Sequence, residues 1–171
     1  MIRKIQYNKG DSYEGEFENN LRHGRGIYIW ANGDKYDGEW KNDKRSGKGK
    51  MIFGKEDEKG RTSYEGSWSE DMFDGSGVLI FKRGDRFSGQ WKSNKKDGNG
   101  IYQYGKNKFE GEWKNDKING KWIVTWPDGS GYEDEYLNGE KNGKSVYTDT
   151  KGKRHEQYCE DGKYTGIKEN D

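Results

Sequence analysis

Aromatic residues recur along this chain in a fixed alternation with polar residues and glycine. The pattern aromatic–x–Gly–x–aromatic occurs five times and a sixth time with aspartate in place of glycine, and the six units begin at intervals of 23, 28, 23, 22 and 23 residues. An alternation with a period of two is typical of β-strands, and no helical stripe of useful length appears. The starting residues, each called position 1 of its repeat, are Tyr13, Tyr36, Tyr64, Phe87, Phe109 and Tyr132.

Each repeat has the features of a β-hairpin. Positions 1–5 form the first predicted strand, positions 6–11 a polar six-residue loop, and positions 12–18 the second strand. Turns at Asn32-Gly33 and Asp128-Gly129 connect one hairpin to the next. The predicted units are 13–35, 36–63, 64–86, 87–108, 109–131 and 132–154, with a partial unit at 1–12 and a degenerate cap at 155–171.

The charge pattern suggests a register in which position 5 faces 12, 4 faces 13, 3 faces 14 and 1 faces 16. Opposite charges that face each other across a ladder stabilise a sheet. In this register each acidic residue at position 4 faces a basic residue at position 13, and each neutral residue faces a neutral one. Position 12 is glycine in all six repeats, which we interpret as a slot for the large ring opposite. The predicted 4/13 pairs are Glu16–Arg25, Glu39–Lys48, Ser67–Ser76, Gln90–Asn99, Glu112–Lys121 and Glu135–Lys144.

Three departures disturb the pattern, and one of them is Trp122, which stands where the second glycine of its repeat is expected. The second unit carries an insertion at 54–63, "GKEDEKGRTS". The last full unit replaces expected glycines or aromatics with Asp134, Ser145 and Asp149. Because repeat arrays commonly need atypical ends, we interpret this unit as a C-terminal cap or as an end covered by a partner.

Composition supports a fold with an aromatic core. Hydrophobic residues are 27% of the 171 residues, charged residues 37%, and the mean hydropathy is −1.49, values close to those of disordered chains. Against disorder, aromatic residues reach 15% and the net charge is only +1. Large rings can therefore supply the buried area that aliphatic residues do not.

Several classes of function are disfavoured. No apolar stretch is long enough to cross a membrane, and the first residues lack a secretory signal. The single cysteine, Cys159, excludes an internal disulfide and fits a reducing cytoplasm. A pI near 7.7 argues against nucleic-acid binding.

The sequence contains little that suggests catalysis. The "GKGK" at 47–50 lacks the helix that a phosphate-binding loop requires. His23, His155 and Cys159 are too few and too far apart in sequence for a zinc site, which needs three or four ligands. We therefore expect no catalytic residues, no bound metal and no cofactor.

The stretches "YEGEF", "HGRGIYIWANGD", "YDGEW" and "FEGEWKNDKINGKW" resemble MORN (membrane occupation and recognition nexus) repeats. The resemblance covers residues 13–154. It implies an all-β fold, an elongated, curved, single-layer antiparallel sheet of tandem hairpins with a groove. Members of the family serve as protein-interaction scaffolds in cytoskeletal, ciliary and junctional assemblies, and phosphoinositide binding has been proposed for them. The family supplies no catalytic residues to these repeats.

Two candidate surfaces follow. A single-layer sheet leaves part of its apolar face accessible, and exposed apolar grooves often bind partners. A groove that accepts a helix or an extended segment of a cytoskeletal or ciliary partner is the preferred hypothesis, and its candidate residues are Tyr28, Met51, Leu79, Tyr102, Trp122, Val124 and Trp126.

The alternative is a peripheral membrane module. Basic residues in the hairpin loops form an edge that could bind anionic phospholipids or an acidic partner. The simpler interpretation is that these lysines only prevent the strand edges from aggregating. The residues are Lys41, Lys44, Arg45, Lys92, Lys95, Lys96, Lys114 and Lys117. Open strand edges also permit association with a second copy of the chain.

Overall fold

The computed structural model describes residues 2–7 and 9–166, and all regular elements in these ranges are β-strands. The chain divides into two units, residues 1–94 and 95–171. In each unit the strands form one layer in sequence order, and the pairs within a unit are antiparallel. The predicted all-β fold of tandem antiparallel hairpins is confirmed. The predicted cap at 155–171 extends beyond the described residues at 167–171.

The described residues of unit 1 form eight strands: β1 (Ile2–Gln6), β2 (Ser12–Glu18), β3 (Leu21–Ile29), β4 (Lys35–Lys41), β5 (Lys44–Ile52), β6 (Arg61–Ser69), β7 (Met72–Phe81) and β8 (Arg86–Lys92). Those of unit 2, up to residue 166, form seven: β9 (Lys95–Tyr104), β10 (Asn107–Lys114), β11 (Lys117–Thr125), β12 (Gly131–Leu137), β13 (Glu140–Thr148), β14 (Arg154–Glu160) and β15 (Lys163–Gly166). Within the described ranges there is no helix with the length and apolarity to cross a membrane.

The turn inside each hairpin has two residues, so the predicted six-residue loop is wrong. Asn19 and Asn20 both adopt positive φ, at 49° and 62°, and Asn42 and Asp43 do the same at 49° and 67°. Two consecutive left-handed residues are the signature of a type I′ turn, whose twist matches that of the strands it joins. The strands therefore extend through most of the polar region that the hydrophobic pattern had assigned to a loop.

The predicted register is correct for the strand residues that lie farthest from the hairpin turn and wrong for those next to the turn. Tyr13 faces Tyr28 and Gly15 faces Gly26, which are the 1/16 and 3/14 pairs. A bulge after Gly15 then shifts the ladder, so that Phe17 faces Arg22 and not Gly24. Because an extra residue in one strand changes every later pair, the predicted 5/12 and 4/13 pairs do not form within the hairpin.

Positions 12 and 13 pair instead with positions 5 and 4 of the next hairpin. Gly24 faces Trp40 and Arg25 faces Glu39, across β3 and β4. In the hairpins β2–β3, β4–β5 and β12–β13 the position-4 carboxylate accepts a backbone hydrogen bond at the bulge. One example is Glu39 Oε1, which accepts from the N–H of Lys48 at 2.8 Å. The same contact recurs at Glu16 with the N–H of Arg25 and at Glu135 with the N–H of Lys144.

Position-12 glycines serve this bulge and do not form ring slots. Gly47 has φ of 64°, and a Cβ placed there would lie 2.5 Å from Oε2 of Glu39. Glycine is required at this position for its left-handed backbone and for the approach of the carboxylate. This explains why glycine fills position 12 in every repeat and corrects the slot interpretation.

The connections between hairpins follow the sequence prediction. In the turn at Asn32-Gly33, Gly33 has φ of 85°, and the Trp30 N–H donates to the Asp34 carbonyl at 2.9 Å. The turn at Asp128-Gly129 repeats this geometry, with Gly129 also at φ of 85°. The insertion at 54–63 forms a longer connection that runs into the start of β6, where Arg61 Nη2 lies 2.6 Å from Oδ1 of Asp57.

The core of unit 1 is built from position-1 tyrosines that lie over glycines at positions 3 and 14. A Cβ at Gly49 would lie 2.2 Å from the hydroxyl oxygen of Tyr36, so only glycine permits this packing. The Tyr36 hydroxyl donates to the Glu39 carbonyl at 3.0 Å. We call this arrangement the glycine slot. It recurs at Tyr13 and Tyr64, and all three tyrosines are fully buried.

Position-5 tryptophans join consecutive hairpins of unit 1. Trp40 donates its indole N–H to the carbonyl of Gly26 at 3.1 Å, and Trp68 donates in the same way to Gly49. The Tyr36 ring contacts both indoles edge-on, at centroid distances of 5.2 and 5.1 Å. Edge-to-face rings at these distances stabilise each other beyond the area that they bury.

Candidate functional site

In unit 1 the aromatic face is covered by a second layer, which comes from position 10. Arg45 donates through Nε to Oδ1 of Asp71 at 2.9 Å, and its guanidinium carbon lies 4.5 Å from the Trp68 ring centroid. Arg22 makes the equivalent bond to Asp43 and lies 4.3 Å from the Trp40 ring. Each arginine thereby combines an ion pair with a cation–π contact over the core.

The same layer continues at Phe73, where a ring takes the place of the guanidinium. Phe73 stacks on Tyr64 at a centroid distance of 3.7 Å. Its backbone N–H donates to the side-chain oxygen of Asn94 at 2.8 Å, in the place where Arg22 and Arg45 use aspartate. Neither the hydrophobic pattern nor the charge pattern of the sequence indicates that position 10 covers the core.

The covering layer and the packing of unit 1 bury the first three candidate groove residues. Tyr28, Met51 and Leu79 are 8%, 4% and 5% exposed. Burial, together with a hydrogen bond to the Asp11 carboxylate, raises the pKa of Tyr28 to about 12. Burial also raises the pKa of Tyr13 to about 12. These side chains belong to the core and offer little surface to a partner.

In unit 2, Trp122 stands at position 14 in place of a slot glycine. Its ring lies over Gly111, where an added Cβ would approach Cγ of the indole to 2.7 Å. The indole N–H donates to the carbonyl of Glu112 at 2.8 Å. In unit 1 the position-1 tyrosine hydroxyl bonds to the carbonyl at this same repeat position. Trp122 therefore occupies the slot, and Phe109 at position 1 remains partly exposed.

The displaced Phe109 helps to form an open aromatic cavity of about 320 Å³. Only apolar atoms of the lining side chains are accessible in the cavity. Tyr104, one of the lining residues, is 53% exposed. Trp113 and Trp122 meet edge-on at a centroid distance of 5.1 Å. The residues that line the aromatic cavity are Tyr102, Tyr104, Phe109, Trp113, Ile118 and Trp122.

Of the predicted groove residues, only Tyr102 and Trp122 line this cavity. Val124 faces Phe109 across β10 and β11, and the Trp126 ring packs edge-on against Tyr132 at 5.5 Å. The other four lining residues were not predicted. Phe109 and Trp113 are among the recurring rings that are expected to form the aromatic core, and the pattern gives no indication that the hairpin starting at Phe109 opens.

The last full hairpin, β12–β13, contains a buried polar cluster at its two slot positions. Asp134 and Ser145 are 3% and 2% exposed, and the Ser145 hydroxyl donates to the Asp134 carboxylate. Lys141, at position 10, places its ammonium nitrogen 2.7 Å from Asp134. Hydrogen bonds and an ion pair thus satisfy the buried carboxylate, as its burial requires.

The predicted basic edge is only partly available. Lys44 pairs with Glu70 and Arg45 with Asp71, while Lys114 lies 3.2 Å from Asp97. Lys96 lies over the Trp113 ring at 4.3 Å, and burial lowers its pKa. The remaining members, Lys41, Lys92, Lys95 and Lys117, are exposed.

The opposite face of unit 1 carries a polar depression of about 690 Å³. Strand glycines such as Gly49 and Gly66 form part of its wall, and Lys50 pairs with Glu65 at 3.2 Å within it. Charges of both signs line this depression, so it presents no single field to a ligand.

The candidate metal and nucleophilic residues are scattered. His23 lies 3.2 Å from Glu18, and His155 lies 3.6 Å from Asp149. Cys159 is partly exposed. Among residues 2–7 and 9–166 no group of three or more His, Cys, Asp or Glu is placed to hold a metal ion.

Several solved structures align with this chain. The TCP10c domain of Drosophila melanogaster Sas-4 aligns with a TM-score of 0.53 and 15% identity, over 94% of this chain and 100% of that one. The TCP10 domain of Danio rerio CPAP aligns at 0.36 with 13% identity, over 99% and 89%. The same domain in complex with a peptide of Danio rerio STIL aligns at 0.27 with 13% identity, over 92% and 84%. At 15% identity the alignment with the Sas-4 domain shows a similarity of fold alone.

Comparison with curated protein sequences found no match. The model of the MORN repeat matches five consecutive segments, which together cover more than half of the chain: residues 13–35, 36–58, 64–86, 87–107 and 109–131. The type I′ turns and the bulge glycines recur through these segments, and the first three segments also contain the glycine slots. The protein belongs to the MORN repeat family.

Proposed function

We propose that this protein is a non-enzymatic scaffold that binds a segment of another protein in the aromatic cavity of unit 2. The observation that supports this most directly is the open cavity itself. Six apolar side chains line it, and Tyr104 is 53% exposed, whereas the tyrosines in the glycine slots of unit 1 are fully buried. Exposed apolar concavities of this kind are the usual sites at which proteins bind partners.

The bound segment would be a helix or an extended peptide that inserts an apolar side chain between the rings. Buried aromatic anchors contribute most of the affinity in many interfaces, and a cavity of about 320 Å³ suits one or two large side chains. Membership of the MORN family supports a cytoplasmic, cytoskeletal or ciliary partner. Tyr28, Met51 and Leu79 are not part of this proposal because they are buried.

The test uses the full chain and a phage-displayed library of random 12-residue peptides. We expect enriched peptides to bind wild type and Ile123→Ala equally, and to bind Tyr104→Ala at least about tenfold more weakly. Ile123 is the matched control, since it lies in the same unit, is 40% exposed and follows Trp122, so it points to the opposite face of its strand. If none of the enriched peptides is sensitive to Tyr104→Ala, the cavity is not the binding site.

The lipid alternative has weaker support. Lys44, Arg45 and Lys114 already pair with carboxylates, so half of the predicted edge is either neutralised or, like Lys96, partly buried. Flotation with phosphatidylserine or phosphoinositide vesicles tests it. Strong binding that Lys92→Gln and Lys117→Gln reduce would favour the membrane function. Association with a second copy through the outer edge of β1 remains a prediction that sedimentation can test.

A further inference from the structure

The face of unit 1 opposite the aromatic core carries exposed isoleucines at one repeat position. Ile29, Ile52 and Ile80 stand at position 17 of the first three repeats and are 44%, 42% and 38% exposed. Each follows a buried residue of the aromatic face, so the alternation of the strand directs it to the opposite face. Single exposed apolar side chains are normal on a protein surface, but an aligned set of them forms a patch.

Ladder pairing joins these isoleucines into one row across seven strands. Residues that face each other on neighbouring strands lie on the same face of a sheet. Lys35 faces both Ile29 and Ile52, and the isoleucines recur on every second strand, about 10 Å apart. We call the complete set, from β2 to β8, the isoleucine row: Ser12, Ile29, Lys35, Ile52, Ser63, Ile80 and Arg86.

Strand propensity alone does not account for these isoleucines. β-branched residues favour strands, and threonine meets that preference without adding as much apolar surface. At position 17 of the last three repeats the chain has Gln103, Thr125 and Thr148. The apolar row is therefore a property of unit 1, and a second layer over it would bury side chains that now face water.

The order of residues on this face complements itself. A twofold interface brings the same surface of two copies together, so apolar residues must meet apolar residues when the row is reversed. A twofold axis parallel to the strands at Ile52 places Ile29 opposite Ile80 of the second copy. In the next row of the same face, the axis places Ile27 opposite Val78 of the second copy, and both side chains are partly exposed.

The charges of this face are also compatible with the twofold arrangement. In the next row, Lys50 of each copy lies at the axis, and Asp37 and Glu65 on the neighbouring strands place four carboxylates around the two ammonium groups. Lys50 already pairs with Glu65 at 3.2 Å within one chain. Within the isoleucine row, each basic residue lies opposite a serine of the second copy, and the pairs are Lys35 with Ser63 and Arg86 with Ser12.

We infer that two copies of this chain pair face to face through the isoleucine row, with a twofold axis at Ile52. Twisted sheets pack with their strand directions within about 30° of each other, so two copies of one sheet are compatible layers. Six strand spacings separate β2 from β8, about 29 Å, and five residues of a strand extend about 17 Å. Two such faces bury about 1,000 Å² in total, at the lower end for specific interfaces, so the dimer is a weak one.

Sedimentation equilibrium of the full chain from about 5 to 200 µM tests the pairing, because a weak dimer forms by mass action. We expect a reversible equilibrium between monomer and dimer. Ile52→Asp buries a charge at the axis and should raise the dissociation constant at least about tenfold. Ile123→Asp is the matched control, since it changes an isoleucine of similar exposure in unit 2, and it should associate like wild type. Thermal melting checks that both variants are folded.

Cross-linking separates this face from the outer edge of β1. In a Cys159→Ser background, a bismaleimide that spans about 10 Å should join Ile52→Cys to a second copy, because packed sheets lie that far apart. Thr125→Cys, at the same repeat position in unit 2, should not be joined. A dimer that tolerates Ile52→Asp and leaves Ile52→Cys unlinked would place the association elsewhere, such as the β1 edge, and overturn the inference.

A wild-type chain that stays monomeric at about 200 µM would also overturn it. If peptides from the phage selection then lost binding in Ile52→Asp, the isoleucine row would be a site for another protein and not for a second copy. Neither result bears on the aromatic cavity, whose test depends on Tyr104 in unit 2.

Discussion

The aromatic faces of the two units differ although the same repeat builds them. In unit 1 each position-1 tyrosine lies in a glycine slot, and the layer of Arg22, Arg45 and Phe73 covers the rings. In unit 2 a tryptophan fills one slot, and the ring at position 1 lines a cavity instead. One repeat sequence can therefore supply either a closed core or an open site.

The exchange at position 14 explains this difference. A slot consists of two facing glycines, such as Gly38 and Gly49, and it holds a single ring. Trp122 provides a ring from the second strand, so the ring at position 1 has no place there. In this chain a pair of slot glycines leaves room for one aromatic ring of the same chain. Replacing one of these glycines by a larger residue changes which ring is exposed.

The largest expected effect tests whether the position-1 rings differ as the structure shows. Tyr36→Ala should lower the free energy of unfolding by about 3–5 kcal/mol, because it empties a fully buried slot and removes a hydrogen bond to Glu39. Phe109→Ala should cost only about 1–2 kcal/mol, since that ring is already partly in water. Urea unfolding followed by tryptophan fluorescence measures both, and equal losses would contradict the comparison.

The position-10 residues provide a smaller contrast. Arg45→Met should lower the free energy of unfolding by about 1–2 kcal/mol, because it removes the hydrogen bonds to Asp71. The Asp71 side chain is 44% exposed, and solvent therefore limits the size of this effect. Lys96→Met should be neutral or stabilising. Because burial lowers the pKa of Lys96, its protonated form opposes folding at neutral pH, and removing the charge relieves that cost.

Thermal unfolding of Arg45→Met and Lys96→Met at pH 7 gives the sign of each effect. A Lys96→Met protein that melts well below wild type would show that the ammonium stabilises the fold. In that case unit 2 would resemble unit 1 more than the geometry indicates.

The smallest effect concerns acid. Burial would raise the pKa of Asp43, but hydrogen bonds from the backbone and guanidinium of Arg22 outweigh it and hold the pKa below 3.8. A lowered carboxyl pKa contributes stability above the ordinary pKa, and this contribution disappears as pH falls through the folded value. The carboxylate is 44% exposed, so solvent screening limits the contribution to below about 1 kcal/mol.

Asp43→Asn should therefore remove part of the stability lost between pH 5 and pH 2. Urea midpoints over this range measure it, with Asp116→Asn as the control from unit 2. An identical pH profile in wild type and Asp43→Asn would show that Arg22 and Asp43 do not couple.

Much of the fold could be predicted from the sequence. Rings and glycines that alternate with polar residues at a period of two indicate β-strands, and the repetition of this pattern indicates tandem hairpins. The turns at Asn32-Gly33 and Asp128-Gly129 were also evident from their residue types. The hairpin turn was missed, although Asn19-Asn20 and Asn42-Asp43 are residue pairs that favour two left-handed conformations. The charge pattern favoured a longer loop and a ladder without a bulge.

The site was predicted only in part. Tyr102 and Trp122 were candidates because of their position in the repeat and the exchange of a glycine. Tyr104, Phe109 and Ile118 were not, since the exposure of a ring depends on whether another ring already occupies its slot. Competition between side chains for one space is not visible in a pattern of hydrophobic and polar positions.

The sequence by itself determined the family, the strand alternation and the need for an aromatic core, because periodicity and glycine placement are local properties of the chain. Only the tertiary structure decided the register near each turn, where a bulge turns Glu39 toward the N–H of Lys48. It also decided which rings are covered. Burial depends on the volume shared by Phe109 and Trp122 across two strands, and this depends on how the strands pack.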